Sequence, residues 1–148
     1  PDSAIFHRLG DAGYRDTTGR LWFCARLAER VLTALGPLYT EQVEPIFQAH
    51  PEVRRCALIG LGPTGQQLPA LVVELRDRMR LRRPNAPREL AMELFNLARP
   101  HASAARVRHF YFHQNLPVDV RHNAKIHRLT LARWAATRPP LVIEENRA

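Results

Sequence analysis

VRRCALIGLGPTGQQLPALVVEL, residues 53–75, reads as two apolar strands, Val53–Gly60 and Leu68–Leu75, around a loop rich in glycine and proline. Downstream, an arginine-rich connection runs to Asn85-Ala86-Pro87, and the spacing of Leu90, Leu94, Phe95 and Leu97 predicts a helix over 88–98 with those residues inward. Residues 106–113 alternate Val107, His109 and Tyr111 against Arg108, Phe110 and Phe112, the pattern of a half-buried strand. A last helix over 128–137 uses Leu131 and Trp134 and stops at Pro139-Pro140. Upstream, Thr40 is the expected N-cap of a helix carrying Val43, Ile46 and Phe47, with Glu41 in its first turn and His50-Pro51 at its end. Pro45 comes late for a first-turn proline and implies an irregular start. Val31-Leu32-Thr33 is a short strand closed by Gly36-Pro37, and residues 12–26 form a hairpin that turns at Thr17-Thr18-Gly19. The expected class is therefore α+β: a small, mostly antiparallel sheet with helices packed against it, preceded by a β-hairpin. There is no internal repeat.

The composition narrows the function classes. With 148 residues, 45% of them hydrophobic, the chain can bury a core as one domain or as a small domain plus part of another. No apolar run reaches the ~20 residues of a membrane span, and no signal-peptide pattern opens the chain. It starts at Pro1 rather than Met, which suggests a piece of a longer protein. Cys24 and Cys56 form no CxxC, and the seven histidines form no ligand pattern. A reduced, cytoplasmic protein without a side-chain metal site is expected. Cys24, beside Trp22 and Phe23, reads as a small buried hydrophobe. The net charge of +8 attracts anions without choosing among nucleotides, nucleic acid, acyl-phosphates and acidic membranes.

Two motifs invite over-reading. Gly60-Leu61-Gly62-Pro63-Thr64-Gly65 matches GxGxxG after a strand, but the next segment is another strand, with no helix N-terminus to hold a pyrophosphate. A glycine-rich strand connection fits better. In Arg76-Asp77-Arg78-Met79-Arg80-Leu81-Arg82-Arg83, alternate arginines would line one face of an extended ribbon able to track nucleic acid. A solvated, charge-protected edge strand or loop is the favoured reading. The aromatics Tyr111 and Phe112 fit core packing better than base stacking.

The chain holds 21 arginines and one lysine, Lys125. An ammonium is a compact point charge with three rotatable donors, whereas a guanidinium is a wide planar fork that could not sit between two crowded oxygens. Three segments give that lysine a context: His7-Arg8-Leu9-Gly10-Asp11, then Gly19–Arg26 running on to Glu29-Arg30-Val31 and Gly36, and finally Leu116–Arg128 with Asn123-Ala124-Lys125-Ile126.

In this order the segments resemble the C-terminal part of the acyl-adenylating (AMP-dependent synthetase/ligase) superfamily, and the resemblance covers nearly the whole chain. It includes Tyr39, Val43 and Glu44 of the first helix and the His50-Pro51-Glu52-Val53 junction. Arg20–Cys24, Pro37–Pro45 and Val118–Ile126 look most like the olefin β-lactone synthetase branch, beside fatty acyl-CoA ligases. The resemblance implies an AMP-forming ligase, with residues 1–27 closing a large adenylating domain and 28–148 forming a mobile lid. It also implies that Asp11 binds the ATP ribose hydroxyls, Arg26 adds a ribose or phosphate contact, Ala28 marks the hinge, Gly36 lies in the loop of the second half-reaction, and Lys125 is the catalytic lysine. ATP and Mg2+ are the implied cofactors, the magnesium held mainly by phosphates and by the larger domain. The implied partners are that N-terminal domain, a fatty or β-hydroxy acid substrate and other enzymes of the same pathway, with nucleic acid and a membrane span not expected.

The chemistry explains the lysine. A carboxylate attacking the α-phosphorus of ATP brings two anions together, and an ammonium bridging them offsets the repulsion. Two positions depart from the family pattern. Ala25 replaces the glycine usual before Arg26, and Ala28 replaces a charged hinge residue. An uncharged hinge puts the large lid rotation of CoA ligases in doubt and suits ring closure by the acyl group's own β-hydroxyl, which needs no second substrate. The alternatives are an acyl-CoA synthetase making a thioester and, from a different class, a basic nucleic-acid-binding module or a stand-alone interaction domain. By itself the 148-residue chain is expected to be inactive or nearly so, because a phosphate-binding loop and an acyl pocket are missing from it.

Overall fold

The computed structural model describes residues 10–121 and 125–144. His7–Leu9 and His122–Ala124 of the quoted motifs lie outside the described residues. In chain order the elements are β1 (Asp11–Arg15), β2 (Leu21–Arg26), a 3-10 turn (Leu27–Glu29), β3 (Val31–Thr33), β4 (Gly36–Leu38) and α1 (Thr40–Gln48). Then follow β5 (Val53–Leu61), β6 (Leu68–Leu75), α2 (Ala86–Ala98), β7 (His109–Phe112), β8 (Val118–Asp119), β9 (Lys125–Ile126), α3 (Arg128–Ala136) and β10 (Leu141–Val142). The class is the α+β arrangement that the sequence predicts.

The core is a four-stranded sheet in the order β10-β7-β6-β5, with β6 and β7 parallel and the other neighbours antiparallel. The parallel pair needs a crossover, and α2 supplies it. The central strands are covered on both faces. Cys56, Leu58, Leu71, Val73 and Phe110 point into one cluster with Val43 and Phe47 of α1 and Leu90, Leu94 and Phe95 of α2. The intervening Ala57, Ile59, Ala70, Val72 and Tyr111 point the other way, onto Leu131 and Ala135 of α3. Ala57 and Ala70 are small, which lets α3 lie close against the sheet. Hence 106–113 is not half-buried: Phe110 and Tyr111 are both buried, and the strand proper is only His109–Phe112, preceded by a 3-10 turn. Strands covered on two faces read as near-continuous apolar runs, which is why residues 70–73 and 110–112 show no alternation of polar and apolar residues.

Several local expectations shift. Thr40 is the first residue of α1 and is buried, Tyr39 occupies the cap position, and α2 starts at Ala86, two residues earlier than expected. In α2 the buried face uses Ala91 and Ala98, whereas Leu97 is half-buried. The GxGxxG stretch is the β5–β6 turn, with Gly62 and Gly65 at φ of 93° and 88°, a region few residues besides glycine enter. The arginine run is not an extended ribbon. Asp77 caps Met79 N at 2.9 Å, residues 78–82 coil into a 3-10 helix, and Arg80 reaches Glu52 at 2.5 Å and Glu93 of α2 at 3.0 Å. Alternate arginines therefore do not share a face, and the nucleic-acid ribbon loses its geometry. After Pro139-Pro140 ends α3, Leu141 and Val142 return as the edge strand β10.

The β1–β2 hairpin is organised by Asp16, whose carboxylate accepts from Thr18 N and Oγ1, Arg20 N and Nε, and Trp22 Nε1, at 2.6–3.0 Å. These donors, Thr18 and Trp22 foremost, hold its carboxyl well below the ordinary carboxylate range. Ala25 sits inside β2, buried, opposite Ala12, so the change from glycine needs no special backbone.

Candidate active site

Lys125 begins β9, whose pairing with β8 sets Asp119 opposite Lys125 and Val118 opposite Ile126. The strand pair is tied down where it leaves the core. The buried Glu74 of β6 accepts Leu116 N at 2.8 Å and is flanked by Arg54 and Arg55 at 3.1 and 3.4 Å. His127 N donates to Pro117 O at 2.9 Å. A buried carboxylate persists only when its lone pairs are occupied, and here the start of the lysine-bearing segment occupies one of them.

The Lys125 ammonium, 44% exposed, lies 3.1 Å from Glu29 Oε1. Glu29 ends the 3-10 turn Leu27–Glu29 that contains the expected hinge, Ala28. Its other oxygen, Oε2, accepts from Arg128 Nη1 at 3.3 Å. Arg128, the first residue of α3, grips Glu44 of α1 through Nη2 at 2.7 and 2.8 Å and through Nε at 3.2 Å. Glu44 Oε1 also receives Leu58 N of β5 at 2.9 Å. Burial pushes the Glu44 carboxyl up from its usual range, with Arg128 and the Leu58 amide opposing. Glu44 shares the helical face of Thr40, Val43 and Phe47, where an unpaired charge would be costly. Arg128 meets that demand.

An open cleft runs between the Leu27–Glu29 turn and β9, lined among others by Phe23, Arg26, Glu29, Arg121, Lys125 and Arg128. Arg26 and Lys125 are thus brought to one concavity, where with Arg121 and Arg128 they face the carboxylates of Glu29, Glu41 and Asp119. Asp11 is exposed and faces Arg26 across the β1–β2 pair. Ala28, exposed, lines a neighbouring hollow with Lys125. Gly36 lies elsewhere, in the β3–β4 turn, at φ 103°. Its carbonyl accepts from Thr33 Oγ1 at 2.7 Å and from Arg106 Nη2 at 3.1 Å, and Arg106 also donates to Thr33 Oγ1. Cys24 is buried and receives Gln42 Nε2 at 3.3 Å, in keeping with a packing role. Burial also pushes the Cys56 thiol far up.

Among the described residues no three His, Cys, Asp or Glu side chains converge as metal ligands. No helix among the described residues is long and apolar enough to cross a membrane.

Glu29, Glu44 and Arg128 stand inside the quoted motifs without a role assigned from sequence. One signal was available: Glu44 is a charge on the apolar face of its helix, which requires a buried cation, but nothing in the sequence says which of 21 arginines supplies it.

No family model matches the chain. It is 54% identical to an olefin β-lactone synthetase of Xanthomonas campestris pv. campestris and 49% identical to one of Stenotrophomonas maltophilia, each over 132 residues and 89% of this chain. The match spans 23% of each relative, so the chain accounts for about a quarter of their length. In fold it is similar to an amide bond synthetase from Marinactinospora thermotolerans, with a TM-score of 0.66, 25% identity, and coverage of 86% of this chain and 24% of that one. In sequence and in fold, the chain is a homologue of the acyl-adenylating enzymes, most like the olefin β-lactone synthetases.

Proposed function

We propose that residues 28–148 are the lid, and residues 1–27 the end of the large domain, of an ATP-dependent carboxylate-activating synthetase. The reaction joins a long-chain β-hydroxy acid to AMP. A carboxylate oxygen attacks the α-phosphorus, the bond to the β-phosphate breaks, and pyrophosphate leaves. The β-hydroxyl oxygen then attacks the acyl carbon, loses its proton, and expels AMP to close a β-lactone. Mg2+ bound to the phosphates would neutralise pyrophosphate charge, on ligands from outside this chain.

Lys125 acts in the first step. Its ammonium bridges the incoming carboxylate and the α-phosphate, where negative charge accumulates. Arg26 supplies a second cation for ribose or phosphate, and Asp11, across the hairpin from it, accepts from the ribose hydroxyls. Ala28 is the pivot, and the Gly36 turn, held rigid by Arg106, faces the second step. The observation that carries the reading is that the lone lysine emerges accessible, on a short strand braced from the core, in the cleft that Arg26 also lines. The 54% identity to a β-lactone synthetase and the uncharged Ala28 favour ring closure over thioester formation. The two free cysteines fit a cytoplasmic enzyme that works beside other enzymes of its pathway.

In the intact synthetase, Lys125→Ala is expected to lower carboxylate-dependent pyrophosphate exchange by ~10²–10³, the usual effect of deleting one preorganised donor. Exchange at the wild-type rate would refute the assignment. Mass analysis of the product with and without CoA separates a β-lactone from a thioester.

A further inference from the structure

We propose that Glu29 is a positioning residue for adenylation: it holds the Lys125 ammonium by one of its three donors and leaves the other two directed at the reacting anions. The inference rests on the role given to Lys125 above. The four charged groups form an alternating chain, Lys125–Glu29–Arg128–Glu44, that ends on the backbone amide of Leu58 in the core. Side-chain exposure falls along it from 44% to 18%, 16% and 12%. The anchor is therefore stiff and the tip accessible, which is what a preorganised donor requires.

The division of Glu29 matters. Its Oε2 is occupied by Arg128, so the carboxylate cannot swing, and Oε1 alone meets Lys125. Arg128, though shared with Glu44, offsets part of the Glu29 charge, so Glu29 competes less with substrate for the ammonium than a carboxylate without that neighbour would. An arginine at position 125 would bring a wide planar fork in place of a compact charge able to sit between two further oxygens. All four residues follow Ala28, so a rotation at that pivot carries the chain of contacts as one unit. The lysine would then arrive at the nucleotide already oriented, with its entropy of positioning lost beforehand. Asp119, opposite Lys125 in the β8–β9 register, borders the same tip.

The test uses the intact synthetase with ATP and a long-chain β-hydroxy fatty acid. Glu29→Gln keeps the shape but removes the charge that orients Lys125. It is expected to lower kcat for acyl-adenylate formation about tenfold, a moderate case of the loss that misplacing a catalytic group produces. KM for ATP and the consumption of chemically supplied acyl-adenylate are expected to stay within twofold. Glu29→Asp, which keeps the charge near Arg128 but withdraws it by one methylene, is expected to show the same split without loss of folding. An unchanged or raised kcat in either folded variant would overturn the proposal, the raised case making Glu29 a lock rather than a guide. An equal fall in both half-reactions would overturn it too, as a purely structural effect. If Lys125→Ala is inactive while Glu29→Gln is wild type, only this inference falls; if Lys125→Ala is active, the lysine assignment itself falls.

Discussion

Replacing Arg128 by Met tests whether the Glu44–Arg128 contact is what lets a carboxylate sit on the apolar face of α1. The substitution roughly preserves stem volume but removes the three hydrogen bonds to Glu44, at 2.7, 2.8 and 3.2 Å, and the one to Glu29. Side chains 16% and 12% exposed are buried enough that solvent does little to replace them. Stripping one partner from such a pair typically costs about 3–5 kcal/mol. The low end applies here, because Glu44 retains the Leu58 amide. For a chain of this size that is a fall in Tm on the order of 10 °C.

The loss should also depend on pH. Burial already raises the folded-state affinity of Glu44 for a proton, and without Arg128 nothing but one amide opposes it. A carboxyl whose folded pKa lies above its unfolded value favours folding most at pH below both values, and that advantage disappears as pH rises through the folded value. The deficit of the Arg128→Met protein is therefore expected to be large at pH 8 and to shrink toward pH 5. Urea unfolding of both proteins at the two pH values reads this directly. Adding Glu44→Leu should recover most of the loss, short by about 1 kcal/mol for the orphaned Leu58 amide. A deficit under ~1 kcal/mol at pH 8, against the several expected for a buried pair, or one that does not change with pH, would refute the reasoning.

Two further outcomes follow from local geometry. Gly36→Ala forces a side chain into a left-handed conformation at φ 103° and is expected to cost about 1–2 kcal/mol, checked by urea unfolding, and to impair conversion of supplied acyl-adenylate more than its formation. Asp16→Ala removes the carboxylate that accepts from Thr18, Arg20 and Trp22, leaving Thr18 Oγ1 as an acceptor for Arg20 Nε, so amide exchange over Gly13–Phe23 should accelerate while α1 and α2 stay protected. Because the Asp16 carboxyl is held below its ordinary range, its contribution is present above the unfolded value and is lost only as pH falls through the lower folded one. Hairpin protection in the wild-type chain should accordingly survive mild acid; its loss near pH 5 would contradict this.

Much of the fold was legible because burial writes a period into the chain. Val53–Leu61 and Leu68–Leu75, the apolar spacing of α1 and α2, and the Asp16–Gly19 turn all declare themselves locally. The arginine run misled because strict alternation of a charged residue implies an extended strand only when backbone pairing supports it. Here the Asp77 cap and the bridges from Arg80 to Glu52 and Glu93 favour a 3-10 coil instead. Strand β10 was illegible because two residues after a double proline carry no period, and only the open edge of β7 recruits them.

The sequence by itself determined the α+β class, the turn chemistry, and the singularity of Lys125, whose motif context marked it for anion chemistry. Only the tertiary structure decided that both faces of the central sheet are buried and that Arg128, among 21 arginines, answers the charge of Glu44. It alone coupled the lysine to the Leu27–Glu29 turn through Glu29. Residues 29 and 128 stand 99 positions apart, and no local periodicity encodes which distant charges will be desolvated together. That pairing is selected when the chain collapses, because each buried charge left unmatched would cost several kcal/mol.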